Sequence, residues 1–373
     1  MTTAKDGHFF FAGGGTGGHV YPAIAIAEAI RKLQPGAKIH FFCSNRSIDA
    51  KILNEGGYEF TALPARAFSA RPDRFLAFVA MYFRSMRTAK SVLAEHRPAV
   101  LLGIGGYVSA PAVTAAGKLG VPVAVLNVDM VPGKANKVMA REAAKVFVQW
   151  EETAKYLGEI PGQVIASGCP LRGGFGGVDR ERTLKSLGLD TEKKTLLVMG
   201  GSSGALTVNR AVCACLPAID AFAKLWQVVH VTGPGISDVR KAYEAAGIGH
   251  KVIEYHHEMP ALMSCADLAV GRAGAVSVAE YAAAGLPAIM LPYPYHKDQH
   301  QKLNGRQLVR AGGGLIVEDR PDDPEATVRE LAEHLKSLMA DGARLAGMSA
   351  AAKSVDTPDA AATIAQELAK MLG

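Results

Sequence analysis

Cysteine is scarce in this chain and forms no pattern. The five residues Cys43, Cys169, Cys213, Cys215 and Cys265 contain no CxxC pair and no even disulfide framework, so free thiols in a reducing compartment are expected. The basic-then-apolar start of a secretory signal is also missing, because the apolar run from Phe9 to Ala12 is too short. The uncharged stretch from Ala99 to Gly117 is broken by Gly103, Gly105, Gly106 and Pro111, and reads as strand, turn and helix start rather than as a membrane span. No glycine turn is followed by Gly-Lys-Ser/Thr, which excludes a P-loop. The turn from Gly13 to Gly18 is not followed about 20 residues on by a ribose-binding acid, since His40-Phe41-Phe42-Cys43-Ser44 ends the second strand instead, which argues against a dinucleotide cofactor. Asp-x-Asp is absent, so no metal-bridged diphosphate is signalled and no metal or other cofactor is expected. Without a zinc finger, an RNP-type stretch or interleaved aromatic and basic residues, nucleic acid is not expected as a partner.

What the chain does have is length, core and glycine. At 373 residues, 49% hydrophobic and 20% charged, it exceeds what one core organises, and two α/β domains are expected. A net charge of +6 and a pI near 9.0 point to an anionic partner, either a phosphorylated substrate or an acidic membrane surface. Two glycine-rich turns lie about half a chain apart, Gly13-Gly14-Gly15-Thr16-Gly17-Gly18-His19 after a Phe-rich run and Gly200-Gly201-Ser202-Ser203-Gly204 after Leu196-Leu197-Val198-Met199. Each reads as a strand-to-helix junction where backbone N–H groups and a helix N-terminus receive an anion.

The first half alternates strand candidates at 8–12, 38–43, 99–103, 122–126, 145–149 and 163–166 with helix candidates at 19–33, 46–55, 75–96, 109–119 and 134–142. The second repeats the rhythm with strands near 194–199, 226–231, 250–254, 267–270 and 287–291, and helices near 205–223, 260–265, 275–284 and 298–311. This predicts mostly parallel sheets covered on both faces, with ligands beyond the carboxyl ends of the strands. The run Ser167 to Gly177 is too rich in glycine for regular structure and reads as a hinge. Pro358 to Leu372 reads as a final helix.

In the second half, Ala273 to Ser277 can open a helix against a nucleotide, placing Ala275, Val276 and Ser277 at its start. Glu280, further along, can accept both hydroxyls of a ribose. Gln301 and Asn304 share a helical face suited to sugar hydroxyls. The alternative reading of such isolated polar residues is a solvated helix face.

The ordered segments Gly13 to Pro22, Gly103 to Ser109, Gly133 with Asn136-Lys137, Gly168 to Arg172, Gly200 to Ala205, Gly271 to Glu280, and His296 to Asp298 with Gln301 and Asn304 resemble the MurG family. These are inverting glycosyltransferases of the GT-B fold. They move N-acetylglucosamine from its UDP donor to an undecaprenyl-diphospho-muramoyl-pentapeptide in peptidoglycan synthesis. The resemblance implies an α/β chain of two Rossmann-like domains whose parallel sheets face across a cleft. The expected limits are 1–167 for the acceptor domain, 168–177 for the hinge and 178–355 for the donor domain, with a helix at 356–373 rejoining the first.

It further implies that Gly14, Gly15, Thr16, Gly17, Gly18, Gly105, Gly106, Tyr107, Asn127 and Asn136 face the lipid-linked diphosphate acceptor. Ser202 would hold the donor diphosphate and Arg172 would lie beside the nucleotide. The uracil edge would meet the backbone near Tyr255 and His256, with Met259 nearby, Glu280 would bind the ribose, Gln301 and Asn304 the sugar, and Ala275, Val276 and Ser277 would lie at the donor. His19, where the first turn enters its helix, is either the base or a phosphate ligand. Where the family carries His-Glu-Gln-Asn, this chain has Leu126-Asn127-Val128-Asp129. An amide at 127 cannot take a proton, so Asp129 is the carboxylate expected in the cleft, unless it merely caps its loop. His300-Gln301 replaces two adjacent glutamines.

A lipid-linked acceptor requires a membrane surface. Phe75, Phe78, Val79, Tyr82, Phe83 and Met86 form a helical stripe flanked by Arg71, Arg74, Arg84, Arg87 and Lys90. Either this stripe packs on the protein's own core, or helix 75–90 docks peripherally on anionic lipid at the cytoplasmic face. The competing functions are a related transferase with another glycolipid or small acceptor, a UDP-sugar 2-epimerase, and a non-catalytic membrane subunit. The last is disfavoured because both halves stand in one chain.

Overall fold

A computed structural model describes residues 7–15, 17–68, 71–201, 204–234, 237–355 and 359–372. The chain divides into two compact units, Met1–Arg172 with Thr357–Gly373, and Gly173–Asp356. The division falls inside the glycine-rich run after Ser167.

In the first unit, strands β1 (His8–Gly13), β2 (Lys38–Ser44), β3 (Glu59–Leu63), β4 (Val100–Gly105), β5 (Val123–Asn127), β6 (Lys145–Val148) and β7 (Gln163–Ala166) alternate with helices. The helices are α1 (Gly17–Leu33), α2 (Ser47–Glu55), α3 (Pro72–His96), α4 (Ser109–Lys118), α5 (Lys134–Ala140) and α6 (Ala154–Leu157). The sheet is parallel, in the order β3-β2-β1-β4-β5-β6-β7. Phe9, Phe10, Phe11 and Ala12 are all buried because β1 lies mid-sheet with both faces covered. On one face Phe10, Phe42, Leu101 and Val125 pack with Leu93 of α3 and Ala112 of α4.

The second unit holds α7 (Arg180–Ser186), β8 (Lys194–Met199), α8 (Leu206–Ile219), β9 (Trp226–Val231), α9 (Ser237–Ala246), β10 (His250–Ile253), α10 (Met259–Cys265) and β11 (Leu268–Gly271). It continues through α11 (Ala275–Ala284), β12 (Ala288–Met290), α12 (His300–Ala311), β13 (Gly314–Ile316), α13 (Pro324–Ala340) and α14 (Gly342–Lys353). Its parallel sheet runs β10-β9-β8-β11-β12-β13, with Leu196, Val228, Val270 and Ile289 in one core with Val212, Tyr243 and Leu335. The last helix, α15 (Ala360–Ala369), belongs to the first unit, where Glu367 takes the Lys145 ammonium at 2.6 Å.

Both sheets reverse direction beside their first strand, between β1 and β4 and between β8 and β11. Such a reversal opens a crevice at the carboxyl ends of those strands, where the glycine-containing turns after β1, β4, β8 and β11 lie.

Several elements differ from the sequence expectation. β3 is an edge strand with partly exposed residues, and β13 is three residues long and starts at a glycine, so neither shows a strand's apolar pattern. Helices α7, α9, α13 and α14 lie in stretches that carry no ligand motif. α13 nonetheless has a legible start, since Asp323 accepts the Ala326 N–H and Pro324 follows it. α12 begins at His300 rather than 298 because Gln299 takes the left-handed conformation at φ 49°. Residues 356–358 of the expected final helix lie outside the described residues.

Candidate active site

In the first unit the site is built on the turns after β1 and β4. Asp49 of α2 is fully buried, and its Oδ2 accepts from the Gly15 N–H at 2.8 Å, the Ser44 N–H at 3.1 Å and the Ser44 hydroxyl at 2.6 Å. Arg46 Nη1 donates to the Gly15 carbonyl at 2.6 Å. A side chain at Gly14 would collide with Asp49 Oδ2, so only glycine lets this turn lie against α2. The second turn is tied to the first by Ser109, whose Oγ lies 2.5 Å from the Ala12 carbonyl and 2.6 Å from that of Gly105. Gly106 stands at φ 79°, and a Cβ on it would sit 2.9 Å from the Gly14 carbonyl. The two glycine turns therefore touch backbone to backbone.

His19 lies in this contact, its ring against Gly105 and Gly106 and donating to the Gly14 carbonyl. Burial, the largest influence, pushes its pKa below the ordinary 6.5, against the opposing pull of Asp129, the Gly14 carbonyl and Asp49. The ring is therefore neutral at physiological pH. With one nitrogen donating to Gly14, the other is the basic one. The Tyr107 ring closes over Gly15, 3.5 Å from the position of a Cβ there.

The loop after β5 completes the site. Asn127, 2% exposed, accepts from Asn136 Nδ2 at 2.9 Å and donates to the Asp129 carbonyl at 2.6 Å. Asn136 also donates to the Leu126 carbonyl at 3.3 Å. Asn127 thus clamps the turn that presents Asp129, and the Asp129 charge acts on His19.

In the second unit, α11 starts at the end of β11 with Gly274 before it, no acid in its first turn and no side-chain cap. A helix start of this kind, with the amides of Ala275, Val276 and Ser277 not capped by a side chain, can receive an anion. Ser277 and Glu280 are one turn apart and share a face. Beneath the turn, Arg272 Nη1 meets Asp319 Oδ2 at 2.7 Å and the Leu291 carbonyl at 2.9 Å, and Arg272 Nη2 meets Thr207 Oγ1 at 2.7 Å. On α12, Gln301 accepts the Tyr293 N–H at 2.9 Å, while fully buried Asn304 donates to the Ala273 carbonyl at 3.4 Å. Asn304 therefore holds the turn that starts α11. Tyr255 and His256 lie in the loop between β10 and α10, with Tyr255 exposed and its ring edge-on to His257 at 4.9 Å, and Met259 opens α10.

The structure thus gathers His19, Gly14, Gly15, Gly17, Gly18, Gly105, Gly106, Tyr107, Asn127, Asp129 and Asn136 at one crevice. It places Ala275, Val276, Ser277, Glu280, Gln301 and Asn304 around another. Arg172 belongs to the first unit, its guanidinium 4.3 Å above the Tyr21 ring. Thr16 and Ser202 lie outside the described residues. Sequence reasoning missed Asp49, Arg46 and the Arg272–Asp319–Thr207 cluster. The one signal for Asp49 was an acid placed five residues after the end of a strand that borders a glycine turn.

The expected stripe on α3 is divided. Tyr82 bonds Thr114 at 2.8 Å and Met86 packs on the core, whereas Phe75 and Phe83 stay exposed, as do Leu76 and, ahead of the helix and outside that stripe, Phe68. Leu76, at 72%, is the most exposed of them and was not part of the expected stripe. Among the described residues no helix is long and apolar enough to cross a membrane.

Two doubly wound units, each with a crevice at the carboxyl ends of its parallel strands, give the GT-B fold. Residues 9–148 match the glycosyltransferase family 28 N-terminal domain and residues 195–364 the C-terminal domain of the same family. A UDP-N-acetylglucosamine–N-acetylmuramyl-(pentapeptide) pyrophosphoryl-undecaprenol N-acetylglucosamine transferase of Nocardioides sp. is 37% identical over 355 residues, covering 94% of each chain. That of Desulfitobacterium hafniense is 34% identical, covering 93% of this chain and 95% of its own. The crystal structure of Acinetobacter baumannii MurG superposes with a TM-score of 0.73 at 23% identity, covering 97% of this chain and 99% of its own. A UDP-GlcNAc 2-epimerase from Neisseria meningitidis shares the fold at a TM-score of 0.69 and 15% identity, covering 97% of this chain and 99% of its own. The chain belongs to the MurG family.

Proposed function

We propose that this chain transfers N-acetylglucosamine from UDP-N-acetylglucosamine to the muramyl-pentapeptide diphosphate carried on undecaprenol, with inversion and in peptidoglycan synthesis. The support is a neutral His19 set between two touching glycine turns, in a chain whose curated relatives carry this activity in their names over nearly their whole length. The acceptor hydroxyl attacks the anomeric carbon while His19 takes its proton, and the glycosidic C–O bond to UDP breaks with the electron pair leaving on the diphosphate. Such a base contributes roughly 10²–10⁴ in rate. The amides at the start of α11 and the unit's glycine turn, with Ser202, stabilise the charge on the departing diphosphate. Glu280 holds the ribose diol and Gln301 the sugar. Asn304 acts through the α11 turn, and Arg172, Tyr255, His256 and Met259 contact the nucleotide. No metal takes part.

The acceptor is met at a membrane. Phe68, Phe75, Leu76 and Phe83 form the apolar surface, and the exposed Arg74, Arg84, Arg87 and Lys90 accompany them on α3. This suits peripheral docking on anionic lipid at the cytoplasmic face. The epimerase reading rests only on shared fold, since the neighbour of that name is 15% identical.

The test is incubation with UDP-N-acetylglucosamine and a short-chain analogue of the lipid acceptor, with EDTA present, following UDP release and the disaccharide. Both products are expected. UDP-sugar binding without disaccharide would overturn the acceptor assignment, and loss of turnover in EDTA would overturn metal independence.

A further inference from the structure

We propose that Asp49 is the positioning residue for His19. It fixes the first glycine turn so that the Gly14 carbonyl takes one ring N–H of His19 and the other ring nitrogen keeps its lone pair for the acceptor hydroxyl. The inference rests on the reading of His19 as the base.

Both backbone polar groups of Gly15 are held, its N–H by Asp49 and its carbonyl by Arg46, which fixes the peptides on either side of it. The Gly15 N–H and the Gly14 carbonyl belong to one planar peptide, so the Asp49 bond also sets the direction of the carbonyl that takes the imidazole N–H. The arrangement also commits the Gly15 N–H to the protein, so Gly15 contributes shape, and not its amide, to the acceptor diphosphate site. A buried carboxylate is a poor choice for simple stability, because removing a charge from water is compensated only when its hydrogen-bonding capacity is filled. Here Asp49 Oδ1 has no partner among the described residues, while three donors converge on Oδ2. An apolar residue could fill the volume, but it could not hold the turn.

The charged and titratable groups around the pair are few. His19 faces Asp129 from the loop after β5 and Asp49 from α2. Asp49 faces Ser44 and Cys43 at the end of β2, with Arg46 holding the same turn. The Cys43 thiol is pushed up to about 12, first by burial and then by the Asp49 charge, so it stays protonated and adds no charge.

Asp49→Ala and Asp49→Asn, each in the full chain, test this. Because the donors meet at one oxygen, the asparagine amide oxygen can keep every bond while the charge is lost. Asp49→Ala is expected to lower kcat about 10²-fold, the scale of a small misplacement, with KM for UDP-N-acetylglucosamine unchanged. The ¹⁵N spectrum of the His19 ring, one tautomer in the unaltered protein, should become a mixture. Asp49→Asn should keep the single tautomer and most of kcat, with the acid limb of kcat/KM moved to lower pH. Native kcat in Asp49→Ala, an unchanged tautomer, or an Asp49→Asn as impaired as the alanine would each overturn the proposal. If Asp49→Ala does not fold, the tautomer and acid limb of Asp49→Asn decide it. The ring spectrum needs no acceptor, so a protein inactive on this acceptor would overturn the acceptor assignment while the tautomer still reports on positioning.

Discussion

The Asn136 side chain donates to Asn127 Oδ1 across 2.9 Å, and Asn127 passes the connection on through its own amide to the Asp129 carbonyl at 2.6 Å. Asn127 is thus bonded in opposite senses at its two ends. Asn127→Asp would set a carboxylate oxygen against the Asp129 carbonyl, leaving a buried repulsion worth about 1–3 kcal/mol. The expected result is a lower midpoint of urea unfolding and a kcat reduced at least tenfold. An unchanged kcat would show that this clamp does not serve the reaction.

Asp129→Asn removes the negative charge that favours protonated His19. The His19 pKa, already below 6.5, falls further, so the acid limb of the kcat/KM profile moves to lower pH. If the carboxylate also orients substrate, kcat falls at least tenfold. Turnover within about twofold would end the catalytic reading, since a base-coupled group is worth roughly 10²–10⁴.

In the second unit, the Arg272 and Asp319 side chains are only 11% and 5% exposed. Asp319→Ala leaves the guanidinium buried with Thr207 and a carbonyl but no counter-charge, a loss of about 3–5 kcal/mol. A large drop in Tm is expected, with weaker UDP binding by calorimetry because Arg272 lies between Gly271 and the start of α11.

Buried histidines make the fold acid-sensitive. His40, stacked on Phe10 and bonded to Thr61, is pushed down to about 4, chiefly by burial, and burial pushes His230 to about 3. Unfolded histidine titrates near 6.5. Below that pH the unfolded chain binds protons that the folded one refuses, so stability is complete above pH 6.5 and falls as pH drops toward 4 and 3. His40 alone accounts for at most about 3 kcal/mol of this. Calorimetry from pH 7.5 to 4.5 should show a falling Tm, with a shallower slope in His40→Gln.

Leu76→Ser combined with Phe83→Ser should weaken cosedimentation with anionic vesicles by an order of magnitude or more, since each apolar side chain contributes about 1.5–3 kcal/mol when buried. Raising the salt should weaken binding of the unaltered protein as well. Equal binding by the doubly substituted chain would place the membrane surface elsewhere.

The glycine turns, the parallel strands and the helix starting at Ala275 were legible because each carries a local signal, either an apolar run or a residue type needed by the backbone. β3 and β13 were not, because an edge strand and a three-residue strand lack a pattern of their own. The stripe on α3 showed why periodicity alone misleads. A helix displays the same spacing whether its apolar face meets a core or solvent, and only the packing of Tyr82 and Met86 against the exposure of Leu76 separates the two.

By itself the sequence determined that there would be two glycine-turn halves, and it contained the ordered motifs that carry the family resemblance, since these depend on local backbone chemistry and spacing. Only the tertiary structure decided that Asp49 grips Gly15, that Asn127 clamps Asp129, that Asn304 faces a carbonyl and that Arg272 is paired with Asp319. These partners are separated by between 2 and 47 residues along the chain. A hydrogen bond or a buried ion pair requires atoms to meet within a few ångströms, and for residues far apart in sequence that meeting is made by strand order and helix packing.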